Sequence, residues 1–323
     1  MTQNSAAVTE RPKTTTGTTG TTGSERSEDT TNVVRTKFCQ EPLIGPRKGR
    51  RNLFVPRDSV AGSQAELLAL HADDPENLNG VASTMTATVR IGTDVVTVKL
   101  SELAAGGFRQ YAPVQRPAAY PTMGHYLAKF VVEDEDGNHA VWANSLNELS
   151  HLTHLDWEGV RDINTQCVQL SWSLPSGRVL HHVMDIVKHQ HGRAGMVDVT
   201  SRSGLTALKA TVFDLTARSC HHFGWDYEVG FDNISAARQR NLRFLRAFRR
   251  QPIPVYDWGD PPRPRTLWGL AQAYGGDTAG LQRATAHLWY RQLGFDMDAL
   301  LDDATVLLDR PARAPRVTWE MVK

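Results

Sequence analysis

The stretch that most constrains the fold of this chain is residues 181–200, HHVMDIVKHQHGRAGMVDVT. An apolar run around Ile186 and a second around Val197 flank the polar sequence HGRAG. A polar, glycine-containing segment between two short apolar runs is typical of the turn in a β-hairpin. The pattern therefore predicts a hairpin that turns at His191 and Gly192.

Each arm of this hairpin carries an aspartate, Asp185 in the first and Asp198 in the second. A turn centred on residues 191 and 192 places these two side chains opposite each other, with Cβ atoms about 4.5–5.5 Å apart. Unscreened like charges would repel there, and a divalent cation between them removes the conflict because hard cations bind convergent carboxylates. The hairpin predicts a Mg²⁺ site. The alternative, aspartates at strand ends or in solvent, stays open on this stretch alone.

Composition limits the classes of protein to which the chain can belong. With 323 residues, 40% of them hydrophobic, it is long enough for two domains. No apolar run is long enough to span a bilayer, so no membrane partner is expected, and the N-terminus lacks a secretory signal. Three widely spaced cysteines favour reduced thiols and a cytoplasmic location. A net charge of +1 indicates that any nucleic-acid contact is local.

The chain divides into four predicted regions. Residues 1–55 form a disordered, low-complexity tail, since they contain too little apolar surface to fold. Residues 56–125 form an N-terminal extension with a β-hairpin over 85–100. Residues 126–250 form an αβ core, and residues 251–323, after a proline-rich linker, form a small helical domain with a short strand pair at 304–308 and 317–319. The basic cluster GPRKGRR near the end of the tail either contacts DNA phosphates or is solvated.

Within residues 126–250 the elements follow one another in a recognisable order. A hairpin over 126–142 precedes a helix that opens with Ser145 and Glu148, the spacing of a capping box. A strand over 168–174, the acidic hairpin, a helix over 205–223 and a strand over 225–229 follow. A helix with one carboxylate beside a sheet with two more is the arrangement of the PD-(D/E)xK nucleases.

The order of motifs over residues 111–308 resembles that of the TnsA-like endonuclease subunit of heteromeric transposases, a family within the PD-(D/E)xK superfamily. The segments that carry the resemblance are SLNELSHLTHLDWEGVRDI, HHVMDIV followed by GMVDV, FDLTARSCHHFGWDYEV, NLRFLRAFRR and AHLWYRQLGFDMDALLDDATVL. The resemblance implies an α/β fold with a restriction-endonuclease-like core, an N-terminal β-hairpin region and a small C-terminal helical, winged-helix-like domain. It implies Mg²⁺-dependent hydrolysis of one DNA strand at each transposon end, with Mn²⁺ as a substitute ion.

Carried over by motif, the family's metal ligands fall on Glu148, Asp185 and Asp198. Thr200 stands where the family has a catalytic lysine, and Met184 where it usually has proline. Threonine cannot supply a cation, although it can hydrogen-bond a water or a phosphate oxygen. Three outcomes follow: the metal activates water unaided, Arg202 or Lys209 reaches in from the following turn and helix, or the subunit is catalytically weak or inactive and serves DNA-end binding and assembly.

Partners are expected from charge and from the resemblance. Four arginines recur on one face of a predicted basic helix over 235–250 and are candidates for DNA-backbone contact: Arg240, Arg243, Arg246 and Arg250. The resemblance of the C-terminal segment implies docking on an AAA+ ATPase regulator and a DDE-type transposase. A stand-alone restriction-type nuclease is a further alternative.

Other polar residues near the acidic hairpin receive simpler interpretations. Gln169 and Ser171, on the strand over 168–174, are expected to line the cleft from the side. The histidine-rich places, such as His181 and His182, are interpreted as surface or hairpin residues, because the spacing of histidines alone is poor evidence for zinc.

Overall fold

The chain is a mixed α/β protein with several sheets. The computed structural model describes residues 57–103, 107–114, 127–133, 137–252 and 263–309. The predicted tail over 1–55, most of the proline-rich linker and residues 317–319 lie outside the described residues. No helix within those ranges is both long and apolar enough to cross a bilayer.

A four-stranded sheet forms the centre of the chain. Its strands are β6 (Asp162–Thr165), β9 (Ile186–Gln190), β10 (Arg193–Val199) and β11 (Asp226–Gly230), in the spatial order β11-β10-β9-β6. β6, β9 and β10 are antiparallel neighbours, whereas β10 and β11 are parallel. A parallel pair needs a crossover, which here is the helix α4 (Ala207–His222).

Helices cover both faces of this sheet. On one face Leu152 and Leu155 of α3 (Leu146–Trp157) share a hydrophobic cluster with Ile186 and Val197. Alternate residues of a strand point to opposite faces, so the neighbouring Met196 lies on the other face. There it packs in a cluster with side chains of α4.

A second sheet lies beside the first and continues two of its strands. It contains β1 (Thr86–Ile91), β2 (Asp94–Lys99), β3 (Tyr111–Ala112), β7 (Val168–Ser173) and β8 (Val179–Val183), in the order β2-β1-β7-β8 with β3 on β1. The hairpin over 85–100 is therefore confirmed as β1 and β2. The strand over 168–174 is confirmed as β7.

The two sheets meet at one bend, where β6 passes into β7 and β8 passes into β9. Gln166 lies there with φ of 51°, and its N–H donates to the Asp185 carbonyl at 3.2 Å. The Met184 N–H donates to the Val168 carbonyl at 3.0 Å. The predicted first arm of the acidic hairpin is therefore two strands in two sheets, with the break at Met184 and Asp185.

Two N-terminal helices are present that the sequence pattern does not predict. They are α1 (Arg57–Asp73) and α2 (Asn77–Ala82), and both pack on α4. In α1 the core-facing positions include Leu67 but also the small, polar Ser63, which is 1% exposed. A polar residue on the buried side removes the apolar stripe by which an amphipathic helix is recognised.

The hairpin predicted over 126–142 is confirmed as β4 (Ala128–Val132) and β5 (His139–Ala143), which pack on α3. The basic helix predicted over 235–250 is α5 (Ala236–Arg246), which is shorter than expected, so Arg249 and Arg250 lie in the turn after it. The C-terminal segment contains α6 (Leu267–Ala273) and α7 (Thr278–Trp289). Its residues Val306 and Leu308 form bridges with Thr266 and Gly294.

The C-terminal segment and the core share one hydrophobic cluster. Trp157 of α3 and Leu242 and Leu245 of α5 are buried together with Leu270 and Leu288 of α6 and α7. The Trp157 indole N–H donates to a backbone carbonyl of α7 at 3.2 Å. The domain boundary at residue 250 stays a prediction, and this cluster crosses it.

Candidate carboxylate site

Glu148 is fixed at the start of α3 by the N-cap residue Ser145 and by the backbone of Asn144. The Ser145 hydroxyl accepts from the Glu148 N–H at 3.0 Å, while the Glu148 carboxylate accepts from the Ser145 hydroxyl at 3.1 Å and from the Asn144 N–H at 2.8 Å. These bonds satisfy donors that the first turn of a helix leaves free. The side chain is buried, and this burial raises the pKa of Glu148.

Asp185 lies at the bend between the two sheets. The register of β9 and β10 pairs Ile186 with Val197 around a turn at His191 and Gly192, both with positive φ, as a two-residue type I′ turn requires. The predicted register is therefore confirmed, and its continuation places Asp185 opposite Asp198 at the end of the ladder. One oxygen of the Asp185 carboxylate accepts from the Val199 N–H at 2.7 Å.

The electrostatic environment of Asp185 disfavours its ionised form. Burial, followed by the negative charges of Asp198 and Glu148, raises the pKa of Asp185 to about 8. The bond from the Val199 N–H opposes this shift but does not offset it. A carboxylate crowded by two others is a group whose charge a cation would stabilise.

Asp198 is the most enclosed of the three acids, with 1% of its surface exposed. Its two oxygens lie 2.8 and 2.9 Å from Nε2 of His182, and the Tyr227 hydroxyl donates to one of them at 2.7 Å. Burial and then the charge of Asp198 raise the pKa of Tyr227 well above its usual range. Burial disfavours the imidazolium of His182, but the Asp198 carboxylate outweighs it and raises the pKa of His182.

His182 and Tyr227 are the site residues that sequence reasoning misses. The sequence pattern indicates a surface position for His182, and the structure instead shows it holding Asp198 from the neighbouring sheet. No local sequence motif predicts the contact between His182 and Asp198, because β8 and β10 belong to different sheets. Gln169 and Ser171, expected to line the cleft, both contact Nδ1 of the adjacent His181, at 3.2 and 2.8 Å.

Thr200 follows β10 and is 5% exposed. Its N–H donates to the Gly230 carbonyl at 2.9 Å, and its hydroxyl donates to the Ser201 carbonyl at 3.4 Å. Alternation along the strand places its side chain on the same face as that of Asp198. The hydroxyl therefore lies at the edge of the carboxylate group without adding charge to it.

Asp198 and Glu148 both lie near enough to Asp185 to raise its pKa, but the three acids do not form a compact ligand set. Asp198 faces α4, whereas Glu148 belongs to α3 on the opposite face of the sheet, and Asp185 lies at the sheet end between them. Their oxygens suit a hard cation in chemistry. In the part of the chain that the structure describes, no three histidine, cysteine or acidic side chains converge closely enough to hold a metal ion. The roles of these residues as metal ligands stay a prediction.

The arginines of the basic helix divide into two groups. Arg240 and Arg243 are exposed, and Arg243 contacts the Gln239 side chain at 3.3 Å. Arg246 already has partners within the chain. Its guanidinium contacts Asp156 at 3.0 Å and the Val131 carbonyl at 2.6 Å, and it lies 3.9 Å from the centre of the Phe130 ring.

Asp156 and Glu133 are the acidic partners of this helix. Asp156 is 1% exposed and also contacts Arg161 at 2.5 Å and Arg249 at 3.4 Å. Glu133 contacts Arg249 at 2.6 Å and Arg250 at 2.7 Å. Arg246 of α5 and Arg250 in the turn after it therefore join this region to α3 and to the β4–β5 hairpin, whereas Arg240 and Arg243 keep their charge available to a partner.

No family model matches the chain, and no curated protein matches it.

We expect Asp156→Ala to lower the free energy of unfolding by roughly 2–4 kcal/mol, because three guanidinium groups lose a buried counter-charge. Urea unfolding followed by circular dichroism measures the change. The matched control is Asp94→Ala in the exposed β1–β2 turn, which we expect to change stability by less than about 0.5 kcal/mol. Equal effects of the two substitutions would contradict a structural role for the Asp156 cluster.

Asp185→Asn should stabilise the metal-free protein increasingly as the pH rises. The unfolded chain ionises Asp185 near 3.8 and the folded chain near 8, so the contribution of this group is fully present below the lower pKa and is lost as the pH approaches the upper one. With each pKa unit corresponding to about 1.4 kcal/mol, we expect a gain of at least ~1 kcal/mol at about pH 8. Urea unfolding at several pH values with a chelator present tests this. A gain that does not change with pH would contradict it.

Proposed function

We propose that this chain is a Mg²⁺-dependent DNA endonuclease subunit of a heteromeric transposase that hydrolyses one strand at each transposon end. The observation that carries the proposal is the position of Asp185 at one end of the central sheet, where its carboxylate is affected by the charges of Asp198 and Glu148. Asp185 has a pKa raised to about 8 partly because the other two acids crowd it. Strongly perturbed acids in a group are more frequent at functional sites than elsewhere.

The order of elements supports a PD-(D/E)xK core. Helix α3, strands β6, β9 and β10, helix α4 and strand β11 come in this order along the chain, with β7 and β8 of the second sheet between β6 and β9, and the four strands of the central sheet are neighbours in the same order. The acids come from the start of α3, from the bend before β9 and from the end of β10. These are the positions that the resemblance assigns to the metal ligands of that superfamily.

The chain's own residues would position a phosphodiester and a water at this end of the sheet. Glu148 and Asp185 each keep acceptor capacity beyond the hydrogen bonds that hold them, because a carboxylate offers about four lone-pair sites. Mg²⁺ bound by these acids would supply activation of water and charge neutralisation at the phosphate. Hydrolysis forms one phosphorus–oxygen bond to the water and breaks one ester bond, and a proton from the water balances the leaving oxygen.

Arg240 and Arg243 supply the DNA-backbone contacts in this proposal. Both are exposed, and neither forms an ion pair within the described ranges. Guanidinium groups pair with phosphates in a bidentate geometry. A DDE-type transposase and an AAA+ ATPase regulator, docked on the C-terminal segment, are the partners that the proposal includes.

A catalytically inactive DNA-end-binding and assembly subunit is the second candidate. Two observations favour it: Thr200 carries no charge where the family has lysine, and both oxygens of Asp198 are engaged by His182 and Tyr227. A carboxylate held by two donors is a weaker ligand for a cation than a free one. The two candidates have the same fold and the same DNA contact, and they differ only in whether the chain hydrolyses DNA.

Nicking of supercoiled plasmid DNA separates the two candidates. We expect the full chain to nick in Mg²⁺ or Mn²⁺, and Asp185→Asn to reduce the rate by at least about 100-fold, because the metal at the reacting phosphate loses a carboxylate ligand. The asparagine keeps an acceptor for the Val199 N–H, so the fold is retained. Asp94→Asn is the matched control and should nick like the wild type. Equal nicking by wild type and Asp185→Asn would falsify the nuclease proposal.

DNA binding tests the arginine assignment. The double variant Arg240→Ala and Arg243→Ala should bind duplex DNA more weakly and lower the slope of log affinity against log salt by about 2, because each arginine that pairs with a phosphate contributes about one unit to that slope. The control, Arg90→Ala with Lys99→Ala in the β1–β2 hairpin, removes the same charge. Fluorescence anisotropy at several salt concentrations measures both. If the two double variants weaken binding equally, α5 is not the contact surface.

A further inference from the structure

Thr200 occupies the position at which the TnsA-like family has a lysine, and another lysine, Lys209, lies beside it. Gly204 lies between Thr200 and helix α4, and a methyl group built on its Cα would lie 3.7 Å from Oγ1 of Thr200 and 3.9 Å from Nζ of Lys209. The ammonium of Lys209 and the Thr200 hydroxyl therefore lie within 4 Å of the same point. A side chain at residue 204 would also meet the Ser201 hydroxyl at 2.8 Å and would have to displace it.

The loop that brings Lys209 to this place is held by two side-chain caps. The Ser201 hydroxyl accepts from the Gly204 N–H at 3.0 Å and closes a short 3₁₀ turn. The Thr206 hydroxyl accepts from the Lys209 N–H at 3.3 Å and begins α4. Lys209 thus projects from the first turn of a capped helix.

Helix stability does not account for a lysine at this position. The amide dipoles of a helix place partial positive charge at its first turn, where a cation is unfavourable and an acid is preferred. Helix α4 has no acid in its first turn, and Lys209 makes no ion pair with any residue that the structure describes. Its side chain is exposed. The charge is therefore available to an anion from outside the chain.

Lys209 lies on the side of the sheet to which Asp198 points. Helix α4 packs on the face that carries Met196, where Sγ of Cys220 lies 3.9 Å from Sδ of Met196. Alternation places Asp198 and Thr200 on that same face. The residue before Thr200 donates its N–H to Asp185, so the loop leaves the sheet directly beside the carboxylate site.

Arg202 is the other cation of this loop, and its side chain is placed differently. Its guanidinium lies 5.1 Å from the centre of the Phe231 ring, and its backbone N–H donates to the Asp232 carboxylate at 3.1 Å. The cation–π contact gives the guanidinium a partner within the chain. Among the described residues, Lys209 is the one of the two whose charge has no intramolecular partner.

We propose that Lys209 is a catalytic residue of the nuclease site, and that its ammonium contacts the scissile phosphate in place of the lysine that Thr200 replaces. The inference rests on the proposed function. Negative charge develops on the non-bridging phosphate oxygens as water attacks, and a cation beside them stabilises that charge more than the ground state. Thr200 then contributes only space, since a small side chain leaves room for the ammonium.

The test compares Lys209→Ala with the double variant Lys209→Ala and Thr200→Lys. Plasmid nicking by Lys209→Ala should fall by about 100-fold or more, while duplex DNA affinity changes by less than about threefold, because the variant removes one cation at the reaction centre. The double variant restores a lysine at the motif position and should recover nicking to within about tenfold of the wild type. Lys99→Ala is the control at an exposed lysine remote from the site.

A readout independent of cutting uses the Asp185→Asn variant, which holds DNA without hydrolysing it. Bound DNA should protect Lys209, but not Lys99, from an amine-acylating reagent, as measured by mass spectrometry of the digested chain. Nicking by Lys209→Ala at the wild-type rate while Asp185→Asn is silent overturns this inference and leaves the proposed function standing. A wild-type chain that nicks no better than Asp185→Asn overturns the proposed function and this inference together.

Discussion

The hydrogen bond from the Val199 N–H to the Asp185 carboxylate joins the end of β10 to the bend between the two sheets. The rest of the site depends on this contact. It closes the ladder of β9 and β10 with a side chain at the point where backbone pairing ends, and it partly opposes the rise in the pKa of Asp185 that burial and two neighbouring acids cause. A polar side chain thus replaces a main-chain partner at the place where the fold changes sheets.

The fold holds its buried acids in two different ways. Asp156 has arginine partners on several sides, so its charge is compensated within the chain, and it joins α3 to α5. Asp185 has one N–H donor and two acidic neighbours, so its charge is not compensated. Burying an uncompensated carboxylate costs stability. The contrast distinguishes an acid that maintains the fold from one whose environment suits a ligand.

Local features of the fold could be predicted from the sequence. The turn at His191 and Gly192 sets the register of β9 and β10, because a two-residue turn with positive φ at both positions fixes which residues are opposite. The spacing of Ser145 and Glu148 predicts a capping box, of which the N-cap bond from the Glu148 N–H to the Ser145 hydroxyl is present, whereas the Glu148 carboxylate accepts from the Asn144 N–H rather than from that of Ser145. Both predictions depend on contacts between residues close in sequence.

Contacts between distant segments could not be predicted in the same way. The pairing of Arg246 with Asp156 joins residues on two helices, and their partnership has no signal in local periodicity. His182 reaches Asp198 from another sheet because the chain bends at Met184. In one continuous strand, the alternation of side chains would have directed His182 to a different place. The sequence pattern does not predict helix α1, because the polar residue Ser63 occupies a core position.

The indole of Trp157 ends α3 inside the C-terminal cluster, while Glu148 begins the same helix at the carboxylate group. A chain shortened before residue 263 would leave that indole, Leu242 and Leu245 facing water, and the exposed apolar surface would favour self-association. The last segment is thus a structural support for the helix that carries an acid of the site. Shortened versions of this protein would lose solubility, so their activity could not be measured.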